Sequence, residues 1–202
     1  MKAIPNLLSA GRLVLTLFMF LALAAAGGGI PALTVAQDTR QSLLDFAFWA
    51  FVVAAVTDFF DGWLARKLDA VTVWGAILDP IGDKVLVCGA ILGLLALGPQ
   101  PMVVLPSGLI LFREFTVSAL REVGAGKGIK LPVTLLAKWK TTLQLLALGA
   151  ELCLAASLAE GALNPWHDAM AVVAHGSLWI AALITLVTGL QYWNQTRRAL
   201  KI

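Results

Sequence analysis

Residues 43–97 read LLDFAFWAFVVAAVTDFFDGWLARKLDAVTVWGAILDPIGDKVLVCGAILGLLAL, and this stretch decides the fold. It holds two apolar runs, each long enough for a membrane-crossing helix, which needs about 20 mostly apolar residues. An aspartate-rich polar segment separates the two runs. The stretch therefore predicts two neighbouring membrane helices whose connected ends carry ionisable residues.

The rest of the chain has the same character. Hydrophobic residues make up 59% of the 202 residues and charged residues only 13%, with a mean hydropathy of +0.86. Soluble domains contain about 45–50% apolar and about 25% charged residues, so a soluble enzyme, a coiled coil and a disordered chain are excluded. Cys88 and Cys153 both lie in apolar runs, which excludes a disulfide framework or a zinc cluster.

Six windows are long and apolar enough to span a membrane, and Gly- and Pro-containing breaks separate most of them. The windows are Leu7–Gly27, Leu43–Arg66, Gly75–Leu97, Met102–Arg121, Val133–Ser157 and Ala169–Tyr192. The predicted fold is an all-α polytopic membrane protein, a bundle of six transmembrane helices forming one domain over residues 1–202. Lys2 followed by an apolar run also resembles a signal peptide, but Arg12 interrupts that run, so we expect a retained span.

The basic residues predict the orientation of the bundle. With a cytoplasmic N-terminus, all of the fifteen Lys and Arg residues except Arg40 fall on or near the cytoplasmic side. Cytoplasmic loops carry such an excess of positive charge, which places both termini in the cytoplasm and the chain in the inner (cytoplasmic) membrane. The position of the basic residues thus relates the net charge of +3 to orientation in a membrane and not to binding of nucleic acid.

Four of the six windows are polar at their predicted cytoplasmic end only. Ionisable residues at membrane depth are costly and usually face a cavity with a function. Long flanking lysines can extend to the interface, whereas aspartate is too short to do so. The prediction is a polar pocket at the cytoplasmic end, formed by Asp58, Asp61, Arg66, Asp79, Asp83, Lys84, Arg113, Glu114, Arg121, Glu122, Lys138, Lys140, Thr141 and Thr142.

The spacing of the aspartates indicates a metal site. Asp58 and Asp61 are about 4.5 Å apart along one helix axis, and Asp79 and Asp83 about 6 Å apart along the next, so each pair shares a helix face. Four clustered carboxylates need a cation to offset their repulsion. With no histidine or cysteine nearby, the ligands are oxygens, which suit Mg²⁺ or Mn²⁺, and two such ions commonly assist displacement at phosphorus.

Small residues accompany the aspartates, and two interpretations of them stay open. Gly62, Ala65 and Gly75 let a bulky ligand approach the helix backbone, or they let two membrane helices pack closely. Arg66 can carry a phosphate or can be an ordinary flanking residue.

The segment Asp58-x2-Asp61-Gly62-x2-Ala65-Arg66-x8-Gly75-x3-Asp79-x3-Asp83 resembles the signature of the CDP-alcohol phosphotransferases, with all eight specified positions present. The resemblance implies transfer of a phosphatidyl or similar group from a CDP-linked donor to an alcohol, with release of CMP. It implies that Asp58, Asp61 and Asp79 hold metal ions, and that Asp83 contacts the second ion or acts as general base. It also implies a CDP site formed by Asp58, Gly62, Ala65, Arg66 and Gly75, and a homodimer.

Further segments resemble one branch of that family, the phosphatidylglycerophosphate synthases. These segments are Pro5-Asn6-x-Leu8-Ser9-x2-Arg12, Arg113-Glu114-x2-Val117-Ser118-x-Leu120-Arg121-Glu122 and Ala137-Lys138-Trp139-Lys140-Thr141-x2-Gln144. The implied substrates are CDP-diacylglycerol and glycerol 3-phosphate.

An acceptor that carries its own phosphate needs fixed positive charge. The candidates are Arg12, Arg113, Arg121, Lys138 and Lys140. Arg113 and Arg121 are eight residues apart and share a helix face, whereas Lys140 lies about 160° around the helix from Lys138. We therefore expect Lys140 to contribute least.

Three other functions are compatible with part of the pattern. A sister enzyme that uses inositol phosphate, serine or another alcohol would share the aspartate signature. A divalent-cation transporter should repeat acidic residues across the membrane, but the outer half offers only scattered Asp38, Asp45, Glu160 and Asp168. A lipid-binding scaffold would not need Asp83 in addition to the metal ligands. Glu151, in the fifth window, has no assigned role.

Overall fold

The chain forms a bundle of six α-helices in a computed structural model, which describes residues 3–31, 33–67, 73–128, 135–159 and 166–200. The helices are α1 (Ala3–Ala26), α2 (Gln37–Lys67), α3 (Val73–Leu97), α4 (Pro101–Gly126), α5 (Leu135–Ala159) and α6 (His167–Leu200). Each corresponds to one predicted window, so the all-α fold is confirmed. The last helix has 34 residues, a length of about 51 Å, and so extends well beyond a hydrocarbon core about 30 Å thick.

Glycine and proline end and start helices where the sequence predicted breaks. Gly28, Gly98 and Gly128 have φ values of +74°, +145° and +70° just after α1, α3 and α4, a conformation that glycine adopts without steric cost. Pro101 begins α4, where its missing N–H has no helical partner to lose. These breaks set the short connections that return successive helices through the bundle.

Five helices contain a stretch long and apolar enough to cross a membrane, judged by length and composition. They are α1, α2, α3, α4 and α6. Among the described residues, α5 has no such stretch, and it carries Lys140, Gln144 and Glu151. The chain is therefore a polytopic membrane protein, and the crossing by α5 stays a prediction.

The helices pack in two groups that α5 connects. α1 contacts α2 and α3, α6 contacts α4 and α5, and α5 also contacts α2 and α3. Small side chains such as Ala47, Ala54 and Ala90 are fully buried where the helices approach each other, which is the usual packing mode in membranes. Large apolar side chains such as Phe112 and Trp49 point outward, as expected where the solvent is lipid.

At the end of the bundle opposite the aspartates, the structure gives Glu151 a partner. His175 Nδ1 of α6 lies 2.8 Å from Glu151 Oε1, and the glutamate is buried. Because a buried carboxylate needs a hydrogen-bond partner, the pair joins α5 to α6.

Candidate functional site

Polar side chains connect all six helices at one end of the bundle. Contacts run from α1 to α2 and α3, from α3 to α4, from α4 to α5, and from α6 to both α4 and α5. The residues come from the second half of the even-numbered helices and the first half of the odd-numbered ones. The polar ends of α2, α3, α4 and α5 were predicted to lie at one end of the bundle, and this end is the candidate active site.

Arg12 lies between two of the predicted metal-binding aspartates. Its Nη1 contacts Asp58 Oδ1 of α2 and lies 3.4 Å from Asp83 Oδ1 of α3. The guanidinium is buried against Gly82, where an added Cβ would lie 2.5 Å from Nη2. The carboxylates of Asp58 and Asp83, which come from two helices, thus both face the guanidinium of Arg12.

The remaining residues of the aspartate signature lie on the two helices that this contact joins. Asp61, Gly62, Ala65 and Arg66 belong to the last turns of α2, and Gly75 and Asp79 to the first turns of α3. Their side chains lie outside the described part of the structure, so their roles stay predictions.

A cavity of about 490 Å³ opens between α3, α4 and α5 at this end. Four basic side chains and two acidic ones line it, so its net charge is positive. The charged lining residues are Asp83, Lys84, Arg113, Glu114, Arg121 and Lys140, and the polar ones are Ser118, Thr141 and Gln144. Asp83 thus lies at the boundary between the aspartates and a cationic cavity.

Glu114 is the centre of a polar network in this cavity. Its Oε1 contacts Lys140 Nζ of α5, lies 3.2 Å from Arg113 Nη1, and lies 3.4 Å from Gln144 Nε2. On the α3 side, Lys84 Nζ donates to Ser118 Oγ. One buried carboxylate therefore holds two cations in place on different helices.

Of the predicted acceptor-binding residues, the structure brings Arg113, Arg121 and Lys140 together in this cavity. Lys140 is buried and joined to Glu114, so it lies in the cavity. That it contributes least to binding of the acceptor stays a prediction. Arg12 lies with the aspartates and is not among the residues that line the cavity.

Sequence analysis missed the contribution of α6. Arg113 Nη2 donates to Thr188 Oγ1 at 3.0 Å, and Arg121 Nη2 donates to Tyr192 Oη at 2.8 Å. Gln144 Nε2 donates to Thr185 Oγ1 at 3.0 Å. The only signal in the sequence is the spacing of the three α6 residues, which puts them on one face of an otherwise apolar helix.

Comparison with known proteins agrees with this site. The sequence profile of the CDP-alcohol phosphatidyltransferase family matches residues 2–191. The chain belongs to this family. Among its relatives are three bacterial proteins named CDP-diacylglycerol–glycerol-3-phosphate 3-phosphatidyltransferase. The one from Cereibacter sphaeroides is 38% identical over 98% of this chain and 96% of its own length. Those from Rickettsia felis and Bacillus subtilis are each 35% identical over 98% of this chain and 97% of their own lengths.

The carboxylate oxygens that this CDP-alcohol phosphatidyltransferase offers as metal ligands fit a divalent cation. Asp58 and Asp83 come from different helices, yet both reach the same nitrogen of Arg12, so their oxygens can share one cation. Among the side chains that the structure describes, no three acidic, histidine or cysteine residues form a group that could hold a metal. Asp61 and Asp79, which the sequence spacing places on the same helices, stay the other predicted ligands.

Proposed function

We propose that the protein transfers the phosphatidyl group of CDP-diacylglycerol to glycerol 3-phosphate and releases CMP. The observation that carries the proposal is the cavity in which Asp83 lies beside Arg113, Arg121 and Lys140. A carboxylate can accept the proton of a hydroxyl, and the cations can bind a phosphate on the same acceptor. The names of the family relatives support the same donor and acceptor.

The reaction is a displacement at phosphorus. The acceptor hydroxyl oxygen forms a bond to the β-phosphorus of CDP-diacylglycerol, and the bond from that phosphorus to the bridging oxygen of the diphosphate breaks. CMP leaves with the electron pair of the broken bond, and the hydroxyl proton passes to Asp83. Arg113, Arg121 and Lys140 hold the acceptor through its own phosphate, which orients the hydroxyl toward the donor.

Asp58, Asp61, Asp79 and Asp83 are the residues that would hold Mg²⁺ or Mn²⁺, two ions in the proposal. Such ions neutralise the diphosphate oxygens when they are bound. Gly62, Ala65, Arg66 and Gly75, with Asp58, form the proposed CDP site on the same two helices. Binding of the acceptor phosphate by Lys138 and Arg12 stays a prediction.

The proposal places the site at the cytoplasmic face of the inner membrane, with both termini on that side. There a lipid donor and a water-soluble acceptor can both arrive. The distribution of basic residues supports this orientation, since the site end of the bundle carries nearly all of them. A homodimer is the assembly that the family resemblance implies, and it stays a prediction.

Product analysis tests the function directly. Purified protein with CDP-diacylglycerol, radiolabelled glycerol 3-phosphate and Mg²⁺ should form phosphatidylglycerol phosphate and CMP in equal amounts, measured by mass spectrometry and nucleotide chromatography. Parallel reactions contain inositol phosphate, serine or glycerol as acceptor. Product with one of these acceptors and none with glycerol 3-phosphate would identify a sister enzyme. Divalent-cation flux into proteoliposomes without CMP release would favour a transporter.

Removing a cation from the cavity should weaken acceptor binding. A charge-assisted hydrogen bond is worth about 1.5–3 kcal/mol, or about ten- to a hundredfold in affinity. Arg113→Ala, Arg121→Ala, Lys138→Ala and Lys140→Ala should therefore each raise the KM for glycerol 3-phosphate by about that factor. Lys140→Ala also leaves the carboxylate of Glu114 without its lysine, and the size of its effect beside the other three tests whether Lys140 contributes least.

The matched control is Lys127→Ala, an exposed lysine just after α4 that is not among the residues lining the cavity. It should leave the KM for glycerol 3-phosphate unchanged. The KM for CDP-diacylglycerol should stay close to the wild-type value in all five variants. If Arg113→Ala, Arg121→Ala and Lys140→Ala keep the acceptor KM within about threefold of wild type, less than one such hydrogen bond, the cavity does not bind a phosphate.

A further inference from the structure

α6 presents three polar side chains toward the candidate site from within a membrane-spanning segment. Thr185, Thr188 and Tyr192 are spaced by three and four residues, so they share one helix face. All three are almost completely buried. Buried polar groups in a membrane helix are costly unless they have partners, and each of these is bonded to a residue that lines the cationic cavity.

Tyr192 fixes the guanidinium of Arg121 in two ways. The phenol oxygen accepts a hydrogen bond from Nη2, and the guanidinium carbon lies 4.8 Å from the centre of the tyrosine ring. A cation over an aromatic face is attracted by the ring electrons, and the hydrogen bond selects one orientation of the planar group. Tyr192 is the only tyrosine of the chain.

Gly189 makes room for Arg113 on the same face of α6. A Cβ added at Gly189 would lie 2.8 Å from Arg113 Cγ and 3.4 Å from Nε. The side chain of Arg113 therefore lies directly on the α6 backbone, with Nη2 bonded to Thr188 Oγ1 at 3.0 Å. Arg113 Nε is buried and has no hydrogen-bond partner among the described residues, so the arginine keeps a donor to offer.

We infer that α6 positions the two arginines of the cavity, and that Gly189, Thr188 and Tyr192 thereby determine selectivity for a phosphorylated acceptor. This inference rests on the proposed function. Cations that are fixed before the substrate arrives lose little conformational freedom on binding, which favours a phosphate of defined position over a neutral alcohol. The three residues act through the arginines and are positioning residues.

The sharpest test adds one carbon to α6. Gly189→Ala should displace Arg113 and raise the KM for glycerol 3-phosphate about five- to tenfold, a part of the loss expected from removing the arginine. Both kcat at saturating acceptor and the KM for CDP-diacylglycerol should stay near wild type. The matched control is Gly176→Ala, the same change on the same helix at a position with no atom within 4 Å, and it should leave every parameter unchanged.

A double-mutant cycle separates positioning from a general effect on structure. In an Arg113→Ala background, Gly189→Ala should raise the acceptor KM no further, because the displaced side chain is already absent. A further rise of the same size in that background would overturn the inference. So would an equal acceptor KM in the Gly189→Ala and Gly176→Ala proteins.

Tyr192→Phe provides a second test that keeps the volume of the ring. It removes the hydrogen bond to Arg121 and retains the aromatic face, so the acceptor KM should rise about threefold or more, with thermal stability in detergent close to wild type. An unchanged KM would contradict the role of Tyr192. Failure of the proposed function has a different signature, because the wild-type protein itself would then form no product from glycerol 3-phosphate.

Discussion

Asp58→Asn, Asp61→Asn and Asp79→Asn are each expected to abolish phosphatidyl transfer, with a loss on the order of 10³-fold or more, larger than for the loss of a single stabilising hydrogen bond. Each change keeps the size of the side chain and removes its charge. A neutral amide cannot balance the charge of a divalent cation, and the departing CMP then lacks the neutralisation that the ions supply.

Turnover and metal binding should be lost together. Mn²⁺ binding measured by electron paramagnetic resonance should weaken in the three variants, and a chelator should inactivate the wild-type protein until Mg²⁺ or Mn²⁺ is added back. Asp45→Asn is the matched control, since Asp45 is exposed at the opposite end of the same helix as Asp58 and bonds only Gln41 among the contacts described for it. Full activity in excess chelator would contradict the metal site.

The contact of Arg12 with Asp58 and Asp83 affects how the asparagine variants are interpreted. A buried guanidinium that reaches both carboxylates offsets part of their repulsion and keeps α2 and α3 in register with α1. The aspartate side chains therefore do not depend on a bound ion alone for their position. Because Asp58→Asn also removes a partner of Arg12, the measurement of metal binding, and not of turnover alone, identifies a lost ligand.

The fold, and the placement of the aspartates on two successive helices, could be predicted from the sequence because both depend on local patterns. Apolar windows bounded by glycine and proline correspond to single helices, so all six helices could be located. The aspartates are spaced within single helices, so the shared face of each pair also follows from the sequence alone.

The cationic cavity, in contrast, depends on contacts between helices that are distant in the sequence, and the sequence carries little signal for these contacts. Lys140 was expected to point away, but Glu114 on α4 determines where its ammonium group lies. The sequence assigns no role to Thr188 and Tyr192. Their partners, Arg113 and Arg121, can be identified only when the packing of α6 on α4 is known. Glu151 could be assigned only once His175 was found beside it.

Asp83→Asn is the change that distinguishes a general base from a metal ligand. Asp83 lines the cationic cavity and also lies 3.4 Å from Arg12 Nη1, the atom that contacts Asp58. If it accepts the hydroxyl proton, the amide should lower kcat by about 10²–10⁴-fold, the usual contribution of a general base. Binding of CDP-diacylglycerol should survive, because Asp83 is not among the residues of the proposed CDP site.

The decisive comparison is between Asp83→Asn and Asp58→Asn. Kd for CDP-diacylglycerol, measured by calorimetry in detergent micelles, should stay near wild type in the first variant and rise strongly in the second. The KM for glycerol 3-phosphate should also change little in Asp83→Asn, since Arg113, Arg121 and Lys140 remain in place. If donor binding instead falls in step with turnover, Asp83 is a metal ligand whose loss disassembles the donor site. The proton would then have to leave by another route, and Glu114, the second carboxylate in the cavity, would be the next residue to test.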